Sequence, residues 1–314
     1  MLIYTLQRIG LAILICITSM CLLFGALHLI PGDMATIMLG SRATKEMRDE
    51  LNHEMGLDRP VPVQLAKFLG RIVQGDLGSD PVTKRSVATI ILENLPYTLV
   101  LILTALGWSA ALGIPLGCYS AIRRNSWIDR VTGVISVGTI SIPSFVVAIY
   151  ALLIFAIQVN WFPVIGAGDP GDFGDQIWHL VLPSFAVGLG WVGYLARLVR
   201  ASMLEVMGEH HVRTARAFGL PEAKIILHYA LRIAILPTVT MLALAIGGLL
   251  SSAVFAENIF ARPGIGKLIV DSAYVHNYPV VQGAVLTTVA LFALAMPIAD
   301  LLIARLDPRV RATF

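Results

Sequence analysis

Six long apolar runs, separated by polar segments, are the feature that most constrains the fold of this chain. Each is almost free of Asp, Glu, Lys and Arg. Each also approaches or exceeds the roughly 20 residues that an α-helix needs to cross the hydrocarbon core of a membrane. Since backbone polar groups must be satisfied internally in lipid, we expect six transmembrane helices and an all-α membrane protein. The runs are 9–30, 97–121, 131–158, 180–196, 233–256 and 283–304.

The composition agrees with a membrane protein and argues against several other classes. Of the residues, 57% are hydrophobic and 14% are charged, whereas a soluble domain carries about 25% charged residues. The net charge of +3 is small and its basic residues are dispersed, so no nucleic-acid partner is expected. Cys16, Cys21 and Cys118 lie inside apolar runs, which favours buried free thiols over disulfides or a metal site.

The distribution of Lys and Arg predicts the orientation in the membrane. In the short loops these residues concentrate on one side, whereas the opposite short loops hold Arg262 and Lys267. Cytosolic loops carry this excess, so both termini are predicted to be cytosolic. The first run resembles a signal peptide but is too long and lacks a cleavage site, so we expect a retained helix. The residues on the predicted cytosolic side are Arg8, Arg123, Arg124, Arg130, Arg197, Arg200, Arg213, Arg216, Lys224, Arg232, Arg305, Arg309 and Arg311.

This orientation divides the chain into four predicted parts. A first transmembrane helix (1–30) is followed by an extracytoplasmic helical segment (31–95). Within that segment, helices are expected at 44–55 and 62–74, since a glycine follows each and Pro62 begins the second. A core of five spans (96–306) contains a cytosolic loop (201–232) and an outer loop (258–283), and a tail (307–314) ends the chain.

The predicted spans carry small residues for helix packing and a few polar side chains. Small residues at four-residue spacing let helices approach closely in lipid, and the prolines are expected to interrupt helices. Asp300 is the one acid inside a run; a structural pair with Arg305 is favoured over a role in proton transfer. Ser141, Ser251 and Ser252 are candidates for lining a pathway, with helix packing as the alternative. The packing residues and prolines are Gly113 with Gly117, Gly188, Gly190, Gly193, Gly247, Gly248, Pro115, Pro143, Pro183, Pro237 and Pro297.

Three motifs suggest chemistry, and their residues argue against it. The segment ending at Gly266 and Lys267 lacks the first glycine and the final Ser or Thr of a phosphate loop. No nucleotide site is therefore visible, and any ATP must act from another subunit. The loop 168–175 has aspartates three apart, which does not fit the ligand spacing of a calcium loop. The histidines His210, His211 and His228 lack a matching acidic or cysteine cluster, and we interpret them as surface residues.

The polar segment 209–222 interrupts the apolar pattern on the predicted cytosolic side. Residues 209–218 are predicted to form a short helix, with Val212, Ala215 and Phe218 on one side. Gly219 suits a left-handed stop, and Pro221 suits the first turn of the next helix. From the residues alone, this helix either docks in the groove of a partner protein or lies on the anionic inner leaflet.

Several stretches together resemble a known family of membrane transport proteins. The sequence from Arg213 to Gly219, followed by His228-Tyr-Ala-Leu-Arg232 and Leu236-Pro237, resembles the EAA loop of ABC importer permeases, with Arg213, Thr214 and Ala215 at the Glu-Ala-Ala positions. Both this change and the long run to Leu-Pro are typical of the dipeptide/oligopeptide/nickel group. The stretches 56–60, 75–79, 257–267 and 307–309 also resemble that group, and the chain is similar to its B-type permease. Tyr278-Pro279 also resembles the group, whereas His276-Asn277 stands where Arg-Asp is common and Ala295-Met296 where Asn-Leu is common.

The resemblance implies a six-helix type I ABC importer permease in the bacterial cytoplasmic (inner) membrane. It implies a C-type permease partner, two ATPase subunits that bind ATP and Mg, and an extracytoplasmic binding protein that meets 31–95 and 258–283. The solutes would be di- or oligopeptides, or alternatively nickel chelates or another small solute. Val212, Ala215 and Phe218 would seat in an ATPase groove. The implied coupling residues are Val212, Arg213, Thr214, Ala215, Arg216, Ala217, Phe218 and Gly219.

Two other classes remain as alternatives from the residues. An ion-coupled secondary transporter would need several ionisable residues within the membrane or repeated broken helices, and only Asp300 is available. A membrane-embedded enzyme would need a nucleophile with a base, or a metal cluster, and the spans offer neither.

Overall fold

The computed structural model describes residues 2–29, 44–47, 53, 60–81 and 83–306. The all-α prediction is confirmed for these residues, and eleven helices can be given with their bounds. Helix α8 consists of Glu222–Lys224, a π-helical segment Ile225–Ala230 and Leu231–Ala234. The helices are α1 Leu2–His28, α2 Val61–Val73, α3 Val87–Ile122, α4 Trp127–Ser141, α5 Ser144–Gln158, α6 Phe173–Val206, α7 His210–Ala217, α8 (222–234), α9 Leu236–Ile259, α10 Ile265–Tyr274 and α11 Tyr278–Leu306.

In the described residues, the six predicted spans correspond to five long helices and one bent pair of helices, which makes a sixth crossing if the pair counts as one span. Five helices, α1, α3, α6, α9 and α11, are long and apolar enough to span a membrane. The sixth crossing is the pair α4 and α5, bent by 95°. Proline disfavours helical backbone in the residue before it, and Ile142 before Pro143 is extended, with φ −88° and ψ 120°. The expected interruption of this span at Pro143 is therefore confirmed.

The other prolines do not interrupt helices as expected. Pro115, Pro183 and Pro297 lie inside continuous helices, and Pro237 lies in the first turn of α9. A proline in the first turn removes no intrahelical hydrogen bond, because that amide has no partner there. Within a long helix, neighbouring helices and local adjustments satisfy the freed carbonyl.

The core sits between α3 and α6, which pack closely through glycines. A Cβ added at Gly113 would lie 2.9 Å from Leu195 Cβ, and one at Gly117 would lie 2.9 Å from Val199 Cβ. Such contacts are closer than side chains tolerate, so only glycine permits this approach. The predicted packing role of this glycine pair is confirmed. Buried side chains from α3, α6 and α9 form the central cluster, including Leu101, Val187 and Leu249.

The extracytoplasmic segment contributes the amphipathic helix α2. Its bounds agree with the expected helix 62–74 to within a residue, and Gly75 after it has φ +76°. Phe68 stacks on Phe24 of α1 with ring centroids 6.2 Å apart, so α2 lies against the outer end of the first span. Most of the other expected helix (44–55) lies outside the described residues.

Candidate functional site

The cytosolic loop has the predicted order of helix, short helix, sharp corner and helix. Helix α6 ends at Val206, and α7 runs from His210 to Ala217. Gly219 has φ +74°, a left-handed conformation that glycine adopts without steric cost. Pro221 directly precedes α8 with φ −65°. The predicted short helix and left-handed stop are confirmed.

The apolar residues of α7 do not form the single outward face that the sequence suggests. Val212 and Ala215 are buried at 0% and 5% exposure, whereas Phe218 is 81% exposed. Val212 and Ala215 pack in a cluster with residues of α3, α6 and α8, among them Val199 and Ile225. The expectation that all three seat in a partner's groove is therefore corrected: two of them hold α7 onto this chain. The coupling role of the segment stays a prediction.

The outward surface of α7 is polar except for Phe218. Arg213, Thr214 and Ala217 are exposed. Arg216 is held within the loop, because its Nε and Nη2 donate to the Glu222 carboxylate at 2.7 and 3.4 Å. This hydrogen bond raises the pKa of Arg216 above its ordinary value. Arg213, the other arginine of α7, is exposed and does not take part in this ion pair with Glu222.

A partly buried ion pair that the sequence did not reveal joins α4 and α6 near the cytosolic side. Arg200 Nε and Nη2 donate to Asp129 Oδ1 and Oδ2 at 2.6 and 2.8 Å. The Asp129 carboxylate is 6% exposed and also accepts from Ser120 and from the Asn125 amide. The sequence signal for this site was Asp129 itself, an isolated acid three residues after Ser126. The Ser126 side chain caps α4.

A second unpredicted polar centre fixes the outer loop to the spans. Glu257, at the end of α9, is fully buried. It accepts from Thr98 Oγ1 at 2.6 Å and from the Lys267 amide at 3.0 Å, and Thr98 accepts from the Ile265 amide at 2.8 Å. A Cβ at Gly264 would collide with the carboxylate. The signal was an acid at the end of an apolar run, followed closely by Pro-Gly-Ile-Gly.

The departure at 276–277 has a structural reason. Asn277 Nδ2 donates to Asp80 Oδ1 at 2.8 Å, and both side chains are buried. An amide can donate this hydrogen bond, whereas a carboxylate would place a second negative charge against Asp80. The contact ties the end of the extracytoplasmic segment to the start of α11. At the other departure, Ala295 is buried in α11.

The bend between α4 and α5 borders a cavity of about 270 Å³. Its lining is uncharged and includes Pro143, Ser144, Trp191, Tyr194 and Ser252. Ser252 is thus the predicted pathway residue that the structure places in a cavity. The other two candidates are exposed and bond their own helices: Ser141 Oγ donates to Val137 O at 2.8 Å, and Ser251 Oγ to Gly247 O at 3.3 Å.

The remaining sequence candidates show local structural roles. Asp172 caps α6, accepting from the amides of Gly174 and Asp175, as expected of a loop rather than a calcium site. Among the residues that the structure describes, no group of three or more His, Cys, Asp or Glu could hold a metal. The side chains of Asp300 and Arg305, and the segment 307–309, lie outside the described part.

Comparison with known proteins places this architecture in a family. Residues 113–312 match the model of the binding-protein-dependent transport system inner membrane component, and residues 1–102 match that of its N-terminal region. The chain belongs to this family of inner membrane transport components. It is therefore a multi-pass protein of the bacterial inner membrane, and a permease of the ABC importer class.

Relatives of this permease cover nearly its whole length. It is 36% identical over 292 residues to the glutathione transport system permease protein GsiC of Pectobacterium atrosepticum, covering 93% of each chain. It is 35% identical over 312 residues to GsiC of Escherichia coli strain K12, covering 99% of each. Two inward-facing crystal forms of the MetNI methionine ABC transporter share its fold. The first has a TM-score of 0.57 and 16% identity, and the match covers 69% of this chain and 96% of that chain. The second has a TM-score of 0.59 and 18% identity, and the match covers 70% of this chain and 97% of that chain.

Proposed function

We propose that this permease and a second permease subunit, of the C type, together form the pathway of an ATP-driven importer of di- or oligopeptides. The observation that carries the proposal is the similarity to permeases of glutathione transport systems over 99% of both chains. The uncharged lining of the cavity at Ser252 supports peptides as a class, because main-chain amides need hydrogen bonds rather than a fixed charge. Ser141, Ser251 and Ser252 are the proposed pathway residues.

The proposed energy source is a pair of ATPase subunits that bind ATP and Mg on the cytosolic side. This chain supplies no cofactor site and no catalytic residue in the proposal. An extracytoplasmic binding protein delivers the solute to the outer segments 31–95 and 258–283. The Glu257 centre supports this arrangement, since it holds the outer loop rigidly against the end of α9.

Helix α7 is the proposed coupling helix. Arg213 and Phe218 face outward and contact the ATPase, whereas Val212 and Ala215 anchor the helix in the cluster shared with α3, α6 and α8. A displacement of α7 therefore moves these helices together, because a packed cluster does not deform continuously. Gly219 sets the corner that carries the movement into α8. Rocking of the spans exposes the pathway to each side alternately.

Reconstitution into proteoliposomes with the partner subunits tests the proposal. We expect uptake of labelled di- or oligopeptide to require ATP inside and the binding protein outside. Gly219→Pro and the charge reversal Arg213→Glu should reduce uptake strongly while the permease still reaches the membrane. Uptake that persists without ATP and stops when the ion gradient is dissipated would instead identify a secondary transporter. Normal uptake and normal ATPase co-purification in both variants would contradict the coupling role.

A further inference from the structure

A groove formed mainly by the second half of the cytosolic loop (201–232) is not used by the coupling contacts proposed for α7. It has a volume of about 400 Å³, within the range of roughly 300–1,000 Å³ typical of small-ligand sites. It lies between α7, which contributes one histidine, and α8, which contributes the other side chains. The lining residues are His211, Lys224, His228, Tyr229, Arg232 and Ile233.

The groove collects hydrogen-bond donors without an internal acceptor. Lys224 and Arg232 form no ion pair or side-chain hydrogen bond with any described residue. His211 Nδ1 lies 3.0 Å from the Glu209 carboxylate, while its Nε2 is buried and finds no partner in the described part of the chain. An ammonium and a guanidinium without an internal acceptor thus line the same space, and such a pair suits an anion.

The π-helical segment of α8 helps to keep the donors on one side. Lys224, His228 and Arg232 are spaced four residues apart, and Ile225–Ala230 is π-helical between them. In a regular α-helix, residues four apart drift around the axis by about 40° in the same sense each time. The wider turn of i→i+5 bonding counteracts this drift, so all three side chains reach the groove. Turns of this type are frequent at functional sites.

The sequence places the groove next to the start of a membrane span. Ile233, in its lining, begins the apolar stretch that leads into α9. Leu227, in the same helix, is 58% exposed, and Tyr229 is an amphipathic aromatic residue of the kind enriched at membrane interfaces. Apolar side chains facing outward next to unpaired cations match the boundary between acyl chains and lipid headgroups on the cytosolic side.

We propose that this groove binds a phosphate group at the cytosolic surface, carried by an anionic phospholipid or by a free phosphate. Lys and Arg bind phosphate through charge-assisted hydrogen bonds, and basic pockets between transmembrane helices on the cytosolic side bind anionic headgroups. A phosphate held by Lys224 and Arg232 joins the start of α8, close to Gly219, to its later turns. Its occupancy therefore stiffens the corner at Gly219.

Lipid retention by the purified full chain tests the site. The chain is exchanged into detergent with equal phosphatidylglycerol and phosphatidylcholine, washed, and analysed for bound lipid by mass spectrometry. We expect selective retention of phosphatidylglycerol, and a loss of about tenfold or more in Lys224→Gln/Arg232→Gln, since each basic residue contributes about 1 kcal/mol at an anionic surface. Arg123→Gln/Arg124→Gln removes the same charge from the same face and should retain the lipid. Lys224→Arg/Arg232→Lys should also retain it.

A second arm distinguishes the two sources of phosphate. The lipid-free chain is heated in phosphate or in chloride at equal ionic strength, and its unfolding temperature is measured. Stabilisation by phosphate in the wild type but not in Lys224→Gln/Arg232→Gln, without selective lipid retention, assigns the groove to a free anion. Equal binding by wild type and this variant in both arms overturns the proposal, as does equal loss in Arg123→Gln/Arg124→Gln. Selective loss of ATPase binding, with lipid and phosphate binding unchanged, would assign the groove to that protein instead.

Discussion

Arg200 and Asp129 form a two-pronged ion pair, with both guanidinium nitrogens within 2.8 Å of carboxylate oxygens. The pair ties the cytosolic part of α6 to the first turn of α4. Helix α6 also leads into the coupling segment three residues after its end at Val206. In the proposed transport cycle, movement that enters through α7 would reach the bent pair α4–α5 through this ion pair as well as through apolar packing.

Removal of this pair should destabilise the permease. Asp129→Asn leaves the Arg200 charge with a neutral partner, and we expect a loss of about 2–3 kcal/mol, less than for a fully buried pair because Arg200 is partly exposed. Thermal unfolding of the purified chain measures the change. Arg197→Gln, on the same helix and exposed, should have little effect. An unfolding temperature equal to that of the wild type would show that the pair adds no stability.

Two variants of α7 should separate docking from folding. Phe218→Ala should change the stability of the chain by less than about 0.5 kcal/mol, since its side chain is exposed, yet weaken ATPase co-purification. Val212→Ala should cost about 2 kcal/mol through the cavity it leaves. Co-purification and thermal unfolding, measured on both variants, form the test. The assignment of faces is wrong if Phe218→Ala binds the ATPase normally and Val212→Ala unfolds at the wild-type temperature.

The pair of Arg216 and Glu222 should respond to a charge exchange. Arg216→Glu alone places two carboxylates together and should loosen the corner at Gly219, which lowers uptake. Arg216→Glu with Glu222→Arg restores an attractive pair, so uptake should recover in part. Failure of the double variant to recover any uptake, with both proteins in the membrane at equal amounts, would mean that Arg216 acts on the ATPase rather than within the loop.

Close contact of α3 with α6 should make Gly117 sensitive to one added methyl group. Gly117→Ala introduces a Cβ against the Ala196 carbonyl and Val199 and should cost about 1–3 kcal/mol. Gly107→Ala, on the same helix with open space around it, should be neutral or slightly stabilising, because alanine favours helices. The measurement is the difference in unfolding temperature between the two variants, and equal values would refute the packing.

Loss of the Glu257 carboxylate should release the outer loop. Glu257→Ala leaves the Thr98 hydroxyl and the Lys267 amide without their acceptor, each at a cost of about 1–3 kcal/mol. We expect faster hydrogen exchange over 260–274 and reduced uptake. Asp271→Asn, on the exposed side of the same segment, serves as the control. Unchanged exchange in Glu257→Ala would show that other contacts hold the loop.

Much of the fold was predictable because lipid imposes a simple rule on the sequence. Length and apolarity identified the crossings, and the spacing of Gly113 and Gly117 identified a close helix contact. Glycine and proline chemistry likewise located the corner at Gly219. These features depend on residues that are close together in the sequence, so they can be predicted without knowing which distant residues they contact.

Contacts between distant residues could not be predicted in the same way. Asp129 pairs with a residue 71 positions away, and Thr98 meets Glu257 across 159 positions. Neither pairing leaves a periodic signal. The direction of Val212 and Ala215 was misjudged for a similar reason, since a short amphipathic helix looks the same whether its apolar side meets its own chain or another protein. The helix stops before Pro143 but continues through Pro183. The sequence around each proline does not distinguish these outcomes, because the neighbouring helices decide whether the freed carbonyl is satisfied.

The corner at Pro143 also changes what kind of group borders the neighbouring cavity. Because proline has no N–H and α5 starts along a new axis, the last turn of α4 ends with main-chain oxygens that no following helical amide can satisfy. These oxygens belong to the backbone, so substitution of the surrounding side chains does not remove them. In the proposed peptide importer, a peptide in this cavity could donate its main-chain amides to these oxygens whatever its side chains are, which would let one permease carry many different peptides.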